Sequence, residues 1–163
     1  MNKEDEIIRQ DYNRAVNMWN ETYSKCKIVD LKGKSLSVEP MFDICLDIFA
    51  SKCKNILDFG CGTGDIIFQC YEFGNMDFGL GVDLSSAGIE FARKMTTVNN
   101  YKGLNFDIGD ISYFDGYEEG SFDGIILSNV LDVMPKDVAV KTFNRLTELL
   151  SPKGLMFVKL NPY

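Results

Sequence analysis

Three glycines at alternate positions form a loop between Asp58 and Asp65. The segment reads DFGCGTGD over positions 58–65 and follows a short apolar run that is typical of a β-strand. Because glycine has no β-carbon, the loop can turn sharply and a ligand can approach its main chain closely. The next segment has a helical pattern, so its free N–H groups would face the same crevice. The sequence therefore predicts a cofactor site at the carboxyl ends of the strands of an open α/β sheet.

The spacing of the glycines separates this loop from the common nucleotide-binding loops. A dinucleotide fingerprint, G-x-G-x-x-G, needs a glycine at position 65, where this chain has Asp65. A P-loop is excluded because no Gly-Lys-Ser/Thr follows, and because a carboxylate at the helix start would repel phosphate. We therefore expect a ligand that carries little negative charge.

Two more acidic residues follow predicted strands. Asp83 ends the second strand, where its carboxylate could accept hydrogen bonds from both vicinal hydroxyls of a ribose. Asp110 and Ile111 follow the third strand, where a carboxylate could accept from an exocyclic amine and an apolar side chain could pack on a purine. Together these positions indicate an adenosine-type ligand.

Five motifs over about residues 55–160 resemble, in order and separation, those of the class I S-adenosylmethionine-dependent methyltransferases. They are ILDFGCGTG at 56–64, GVDLS at 81–85, GDI at 109–111, SFDGII at 121–126 and LLSPKGL at 149–155. Each motif is weak alone, but their order supplies the context that a motif match needs. The resemblance implies an α/β, Rossmann-like fold with an open, mainly parallel sheet, helices on both faces and N-terminal helices over the cofactor site.

The resemblance also implies that the cofactor is S-adenosylmethionine, with S-adenosylhomocysteine as the product. Acidic groups suit this ligand, which carries a sulfonium and an ammonium against one carboxylate. Asp58 and the glycine loop would hold its methionine part, and Asp83 its ribose. The implied cofactor-binding set is Asp58, Gly60, Cys61, Gly62, Gly64, Asp83, Leu84, Asp110, Ile111, Ser128, Tyr12 and Trp19.

Five members of this set have an ordinary structural explanation as well. Asp58 and Asp83 could be helix caps or loop carboxylates, an interpretation that the order of the five motifs disfavours. No cation near Cys61 in the local sequence would activate its thiol, so we expect it to pack rather than to act as a nucleophile. Tyr12 and Trp19 belong, with Ile8, Ala15 and Tyr23, to the apolar stripe of an amphipathic helix. They either pack in the core or line the pocket.

The segment after the fourth strand departs from the family's pattern. Where the family often carries a histidine, this chain has Asp132, which is either a catalytic base or a solvated or capping loop carboxylate. A weak base or none can suffice, because positioning supplies much of the rate of an in-line displacement. The Asn-Pro-Pro-Tyr of amino-group nucleic-acid methylases is missing there, and the Pro-Cys of cytosine-carbon methylases is missing altogether. With a net charge of −7, this favours a small-molecule or protein acceptor over nucleic acid.

The elements that must position these residues follow from hydrophobic periodicity. Strands are predicted over 55–59, 77–83, 104–107, 124–128 and 155–160. Helices are predicted over 4–24, 41–52, 64–73, 86–98 and 136–150, with a turn at 151–154 after the last. In the second helix Met41, Ile44, Cys45, Ile48 and Phe49 are predicted to share one face.

The length of 163 residues suits one domain, in which residues 1–54 form a helical cap and the first sheet helix and residues 55–163 form the cofactor-binding core. The family's sheet usually has seven strands, and the last two form a hairpin. We expect this hairpin to be missing here and the chain to be a truncated form or a fragment. The last predicted strand would then be an apolar open edge, which we expect to pair with a second copy of the chain.

Composition excludes several classes of protein. The chain has no histidine, so no imidazole can act as a base or metal ligand. Its five cysteines include no C-x-x-C pair, which indicates no zinc or other metal site and favours a reducing, cytoplasmic compartment. The N-terminus is charged and the apolar runs are far shorter than the ~18 residues that span a bilayer, so no membrane segment is predicted.

These observations predict an S-adenosylmethionine-dependent methyltransferase that acts on an O, N or S nucleophile of an acceptor, with a small molecule favoured. Two alternatives stay open. One is a module that binds S-adenosylmethionine or S-adenosylhomocysteine without catalysis. The other, which the residue at position 65 disfavours, is an NAD-dependent oxidoreductase.

Overall fold

The fold is built on one five-stranded sheet. The computed structural model describes residues 3–32 and 39–161 of the chain. The strands are β1 (Asn55–Phe59), β2 (Phe78–Asp83), β3 (Leu104–Ile108), β4 (Phe122–Ser128) and β5 (Leu150–Lys159). The helices are α1 (Lys3–Tyr23), α2 (Pro40–Ala50), α3 (Asp65–Phe73), α4 (Ser86–Asn99) and α5 (Lys136–Leu149). Two 3-10 turns, Ile111–Phe114 and Leu131–Val133, follow β3 and β4.

The strand order is β3-β2-β1-β4-β5, and every pairing in the described residues is parallel. The chain winds outward from β1 in both directions, so the strand order reverses between β1 and β4. In open α/β sheets, ligands bind in the crevice at this reversal, outside the carboxyl ends of the strands. The predicted α/β, Rossmann-like fold is confirmed, and its topology points to one edge of the sheet as the site.

Helices cover both faces of the sheet, as predicted. On one face α2, α3 and α4 bury an apolar cluster that includes Leu46, Phe68 and Ile89. On the other face α5 and the turn after β3 bury a second cluster around Phe114, Phe122 and Leu146. Because β1 contributes side chains to both clusters, it is buried along four of its five residues and provides a rigid base for the loop that follows it.

The buried face of α2 differs from the prediction. Phe42, Leu46 and Phe49 are buried, and the rings of Phe42 and Phe157 from β5 meet edge to face at 5.1 Å. Met41, Ile44 and Ile48 are exposed. Because apolar residues occupy most of the helix circumference, periodicity alone does not choose between two neighbouring faces, and the fit against β5 decides it.

The predicted turn at 151–154 is also wrong, because these residues belong to β5. Phe122 of β4 pairs with Leu150 of β5, and Gly124 pairs with Leu155. Between these two pairs β4 advances by two residues and β5 by five, so the extra residues of β5 form a bulge. Lys153 has φ +70° within this bulge. Proline and glycine end helices, but they are also common at strand bulges, and here α5 passes directly into the strand.

Helix α1 packs against α4 at the carboxyl edge of the sheet. The Asn20 side-chain oxygen accepts hydrogen bonds from the Ser85 hydroxyl at 2.8 Å and from the Ala87 backbone N–H at 3.1 Å. Ser85 is the N-cap of α4, so Asn20 ties α1 to the start of that helix. The side chain of Ile8, which the sequence analysis assigned to the apolar stripe of this helix, lies outside the described residues. Among the described helices, none has both the length and the apolar character required to cross a membrane.

Candidate cofactor and active site

The glycine loop after β1 is held in a conformation that requires glycine. Gly60, Gly62 and Gly64 have φ values of +76°, +54° and +82°. A β-carbon on Gly62 would lie 2.6 Å from the Tyr23 hydroxyl oxygen, and one on Gly60 would lie 2.4 Å from a methyl carbon of Val130. The loop is therefore enclosed by α1 on one side and by the segment after β4 on the other.

Asp83 links β2 to this loop. One of its carboxylate oxygens, Oδ2, accepts the Gly62 N–H at 2.8 Å, and the other, Oδ1, accepts the Ser85 N–H at 2.7 Å. Each oxygen has a second lone pair, so the carboxylate is oriented and still able to accept from two hydroxyls. Burial raises the pKa of Asp83, and backbone hydrogen bonds from Ser85, Gly62 and Leu84 oppose that rise.

Asp58, at the end of β1, is the most deeply buried acid of the site. It is 1% exposed, and its Oδ2 atom is buried without a hydrogen-bond partner among the described residues. Burial, followed by repulsion from Asp83 and Asp65, raises the pKa of Asp58 to about 8. An unpartnered carboxylate oxygen of this kind suits a cationic hydrogen-bond donor such as the ammonium of an amino-acid moiety. The residues present thus fit S-adenosylmethionine.

Two tyrosines of α1 lie close to these carboxylates. Burial, Asp110 and Asp83 raise the pKa of the half-buried Tyr12 phenol. Burial and Asp83 raise the pKa of Tyr23. Tyr12 therefore lies near Asp110 and Asp83, and its role in lining the cofactor pocket stays a prediction. Trp19 is 40% exposed and stacks on the Tyr23 ring with centroids 5.4 Å apart.

Tyr23 and Asn20 make contacts around the candidate site that the sequence analysis missed. The sequence analysis assigned Tyr23 only to the apolar stripe of the first helix. Its position one turn after Trp19 places it on the same helix face, and this was the available signal that it lies near the site. Asn20 carried no signal, because a polar residue on a helix is normally solvent-exposed.

The residues predicted to hold the adenine lie at the same edge of the sheet. Leu84 and Ile111 are partly buried, directly after β2 and at the start of the turn that follows β3. Asp110 is exposed and caps that turn, because its Oδ1 atom accepts the Ser112 N–H at 2.9 Å and the Ser112 hydroxyl at 2.6 Å. These bonds lower the pKa of Asp110, so it is ionised at neutral pH. Ser128 ends β4 and is partly buried.

The Cys61 thiol is a packing group in this structure. Its sulfur lies 2.9 Å from the position of a β-carbon on Gly81, so it fills the space that this glycine leaves. Burial, followed by the charges of Asp58 and Asp83, raises the pKa of Cys61 well above its ordinary value. A thiol in this state is a poor nucleophile.

Asp132 is joined to the segment that follows β5. Its Oδ2 atom accepts the Asn161 backbone N–H at 3.0 Å and the Asn161 side-chain N–H at 2.6 Å. Its Oδ1 atom is buried and has no partner among the described residues. Asn161, which sequence reasoning left without a role at this site, is thus the partner of the Asp132 carboxylate. Whether Asp132 is a catalytic base or a structural loop carboxylate stays a prediction.

The sequence profile described as "Methyltransferase domain" matches residues 50–160, which is more than half of the chain. The chain belongs to this methyltransferase family. With the parallel sheet and the structural neighbours below, the match confirms the resemblance to class I S-adenosylmethionine-dependent methyltransferases.

Two curated relatives and one solved structure illustrate the range of this methyltransferase family. The human tRNA N(3)-cytidine methyltransferase METTL2B is 34% identical over 124 residues, which are 72% of this chain and 32% of that protein. The 2-heptyl-1-hydroxyquinolin-4(1H)-one methyltransferase of Mycobacteroides abscessus is 31% identical over 84 residues, or 52% and 36% of the two chains. The crystal structure of a SAM-dependent methyltransferase from Archaeoglobus fulgidus aligns with a TM-score of 0.55 at 21% identity, over 68% of this chain and 48% of that chain.

The chain spans less than half the length of each of these three proteins. By their names, the two relatives methylate different acceptors, one a tRNA base and the other a small heterocycle. Similarity therefore identifies the family and its fold, and the acceptor has to be inferred from the site.

Proposed function

We propose that this methyltransferase domain binds S-adenosylmethionine at the carboxyl ends of β1, β2 and β4 and transfers its methyl group to a nucleophilic atom of an acceptor. The observation that carries the proposal is the pair of carboxylates around the glycine loop. Asp58 has an unpartnered buried oxygen, and Asp83 is oriented by the loop itself. Such a pocket favours a ligand with a cationic end and a ribose, and it disfavours a pyrophosphate.

Each residue of the pocket has a distinct task in this proposal. Asp58 accepts from the ammonium group of the cofactor, and Asp83 accepts from the ribose hydroxyls. Leu84 packs on the adenine, while Asp110 and the Ile111 N–H bond to its edge. The remaining contacts are main-chain or wall contacts from Gly60, Cys61, Gly62, Gly64, Ser128, Tyr12 and Tyr23, with Trp19 supporting Tyr23 by stacking.

When bound, the cofactor supplies a methyl group on a good leaving group, and the protein's task is mainly to orient it. Val130 and Tyr23 lie against the glycine loop on opposite sides, which restricts the space that the reacting centre can occupy. Asp132 lies two residues after Val130 with one unpartnered oxygen, and we assign it the role of proton acceptor.

Calorimetric titration tests the cofactor assignment. We expect S-adenosylmethionine and S-adenosylhomocysteine to bind with measurable heat and NAD to give none. Tight NAD binding without any response to S-adenosylhomocysteine would overturn the proposal. Cofactor retained on purification, identified by mass spectrometry, is an independent readout, and release of S-adenosylhomocysteine with an acceptor present separates an enzyme from a purely binding module.

For partners and location we propose a small-molecule or protein acceptor and a cytoplasmic protein that works as one domain. The net charge of −7 opposes binding to a nucleic-acid backbone. A tRNA methyltransferase among the relatives makes RNA the first alternative to test. We also propose that the open edge of β5 pairs with a second copy of the chain.

A further inference from the structure

Helix α1 meets the start of α4 through a polar side chain that has no role in the proposed function. The side-chain oxygen of Asn20 accepts hydrogen bonds from the Ser85 hydroxyl at 2.8 Å and from the Ala87 backbone N–H at 3.1 Å. Ala87 is the second residue of α4, so its N–H is one of the donors at a helix start that no carbonyl of the helix can satisfy. Asn20 therefore caps α4 from a distant part of the chain.

The Ser85 hydroxyl uses its hydrogen and a lone pair in this arrangement. As the N-cap of α4 it accepts the Gly88 N–H at 3.1 Å, and it donates its one hydrogen to Asn20. Ser85 is only 1% exposed, so without Asn20 its hydroxyl would lose its acceptor where solvent barely reaches, which is unfavourable. The contact with Asn20 thus helps to fix where Ser85 lies.

The position of Ser85 matters because its backbone holds Asp83. The Ser85 N–H donates to Oδ1 of Asp83 at 2.7 Å, and the Gly62 N–H donates to Oδ2 at 2.8 Å. A side chain of α1 lies behind each of these two donors. Asn20 bonds to Ser85, and the Tyr23 side chain lies against the glycine loop. Residues three positions apart share a helix face, so one face of α1 supports both donors that orient the carboxylate.

From this geometry we infer that Asn20 is a positioning residue for the ribose of the cofactor. It ties α1 to the start of α4 and, through Ser85, holds the Asp83 carboxylate in the orientation in which its remaining lone pairs can meet two vicinal hydroxyls. The inference rests on the proposed function, in which Asp83 accepts from the ribose.

Helix α1 depends on such a contact more than most helices do. Helices usually dock through a buried apolar face. Of the α1 side chains that the structure describes, none is fully buried. Hydrogen bonds to Asn20 therefore make up a large share of what holds α1 against the site.

Two nucleosides that differ only in their ribose hydroxyls test the inference. Adenosine has both vicinal hydroxyls and dideoxyadenosine has neither, so the ratio of their dissociation constants reports how well Asp83 engages these groups. Ligand-observed NMR measures both constants. We expect the wild type to bind adenosine at least about tenfold more tightly, because the other nucleoside lacks two hydrogen bonds to a charged group.

Variants of Asn20 should change this ratio. Asn20→Ala removes the acceptor and is expected to lower the ratio at least about threefold, on the scale of one weakened hydrogen bond. Asn20→Asp keeps an acceptor oxygen in place, and its charge suits a helix start, so it should restore most of the ratio. Asn17→Ala, the same change at an exposed position one turn earlier on α1, is the matched control and should behave like the wild type.

A double-mutant cycle distinguishes positioning from a general loosening of α1. A loosened helix would weaken both nucleosides alike and leave their ratio unchanged. If Asn20 acts through Asp83, adding Asn20→Ala to Asp83→Ala should not change the ratio further, because the carboxylate that it positions is gone.

Four results would overturn the inference: an unchanged ratio in folded Asn20→Ala, an equal loss in Asn17→Ala, a further loss when Asn20→Ala is added to Asp83→Ala, or a wild type with no preference for adenosine. Thermal unfolding shows whether each variant folds. If Asn20→Ala does not fold, Ser85→Ala cuts the same link from its other end and must lower the ratio.

Two further measurements separate this inference from the proposed function. Hydrogen exchange of the Ala87 amide in the ligand-free protein should be faster in Asn20→Ala, and an unchanged rate contradicts the role of Asn20 alone. Calorimetry with S-adenosylhomocysteine on the wild type reports on the cofactor assignment, whose failure would leave the exchange result readable.

Discussion

The Asp83 carboxylate accepts the Gly62 N–H at 2.8 Å, so the acid that ends β2 also holds the glycine loop that follows β1. The two residues are 21 positions apart and come from neighbouring strands. One side chain thus orients the loop that would meet the methionine part of the cofactor, and it keeps lone pairs for the ribose. A loss of Asp83 should therefore affect the loop and the ligand together.

Asp83→Ala is expected to lower the affinity for S-adenosylhomocysteine at least tenfold, because hydrogen bonds to a charged group contribute ~1.5–3 kcal/mol each. Calorimetry measures the affinity, and circular dichroism checks the fold. Asp83→Asn, which keeps an acceptor oxygen, should retain part of the binding. If Asp83→Ala binds as tightly as the wild type with an unchanged spectrum, the ribose assignment is wrong.

Asp58 should make the stability of the ligand-free protein depend on pH. Its pKa is about 8 in the folded chain, against 3.8 for an ordinary aspartate, so between these values the folded state holds a proton that the unfolded state has released. The contribution of Asp58 to the free energy of unfolding should therefore be fully present below pH 4, fall as pH rises toward 8, and level off above it. Each pKa unit corresponds to about 1.4 kcal/mol, and we expect a total fall of at least ~2 kcal/mol.

Urea unfolding at pH 5 to 9 measures this fall. Asp58→Asn should flatten the curve, although Asp65 and Asp83, whose pKa values are also raised, leave a smaller slope of the same sign. Asp115→Asn, an exposed acid, is the control and should leave the slope unchanged. Identical curves for the wild type and Asp58→Asn would show that Asp58 is ionised in the folded protein.

Gly62→Ala should displace α1 from the cofactor site. The new β-carbon would meet the Tyr23 hydroxyl at 2.6 Å, and the left-handed backbone adds roughly 1–2 kcal/mol of strain. We expect a lower melting temperature, by about 2–4 °C for each kcal/mol, and altered fluorescence of Trp19, the only tryptophan, which stacks on Tyr23.

Two further variants check that explanation. Adding Tyr23→Phe to Gly62→Ala removes the nearest atom and should restore part of the stability. Gly116→Ala, at a glycine with no neighbouring atom within 4 Å, should leave both melting and fluorescence unchanged. If Gly62→Ala and Gly116→Ala behave alike, α1 does not rest on the loop in solution.

The edge strand β5 should mediate self-association. Only β4 pairs with it in the described residues, and two apolar side chains near its end, Val158 and Leu160, are 45% and 51% exposed. Size-exclusion chromatography with light scattering should find dimers or larger species at high concentration. Val158→Lys should shift the protein toward monomer, whereas Val98→Lys, on the exposed side of α4, should not. A monomer at every concentration contradicts this prediction.

The sequence alone was sufficient for the fold class, and it placed most of the proposed cofactor-binding residues at one edge of the sheet. Strands alternated with helices, and apart from Tyr12 and Trp19 on α1 the predicted ligand residues lie at the end of a strand or just after one, as Asp58 lies near the end of β1 and Asp83 ends β2. Since the carboxyl ends of parallel strands meet at one edge of a sheet, residues at these positions come together whatever the details of packing. Local patterns were informative because the site is built from strand ends.

Only the tertiary structure decided which residues from distant segments close the site. Tyr23 rests on Gly62, and Asn161 binds Asp132 from 29 positions away. The sequence pattern specified neither contact, because each depends on how a helix or a strand end docks on the sheet. The buried face of α2 was decided in the same way. Its apolar residues surround most of the helix, so packing against the Phe157 ring of β5, and not the periodicity, selected Phe42 for the core, while Phe49 is buried as predicted.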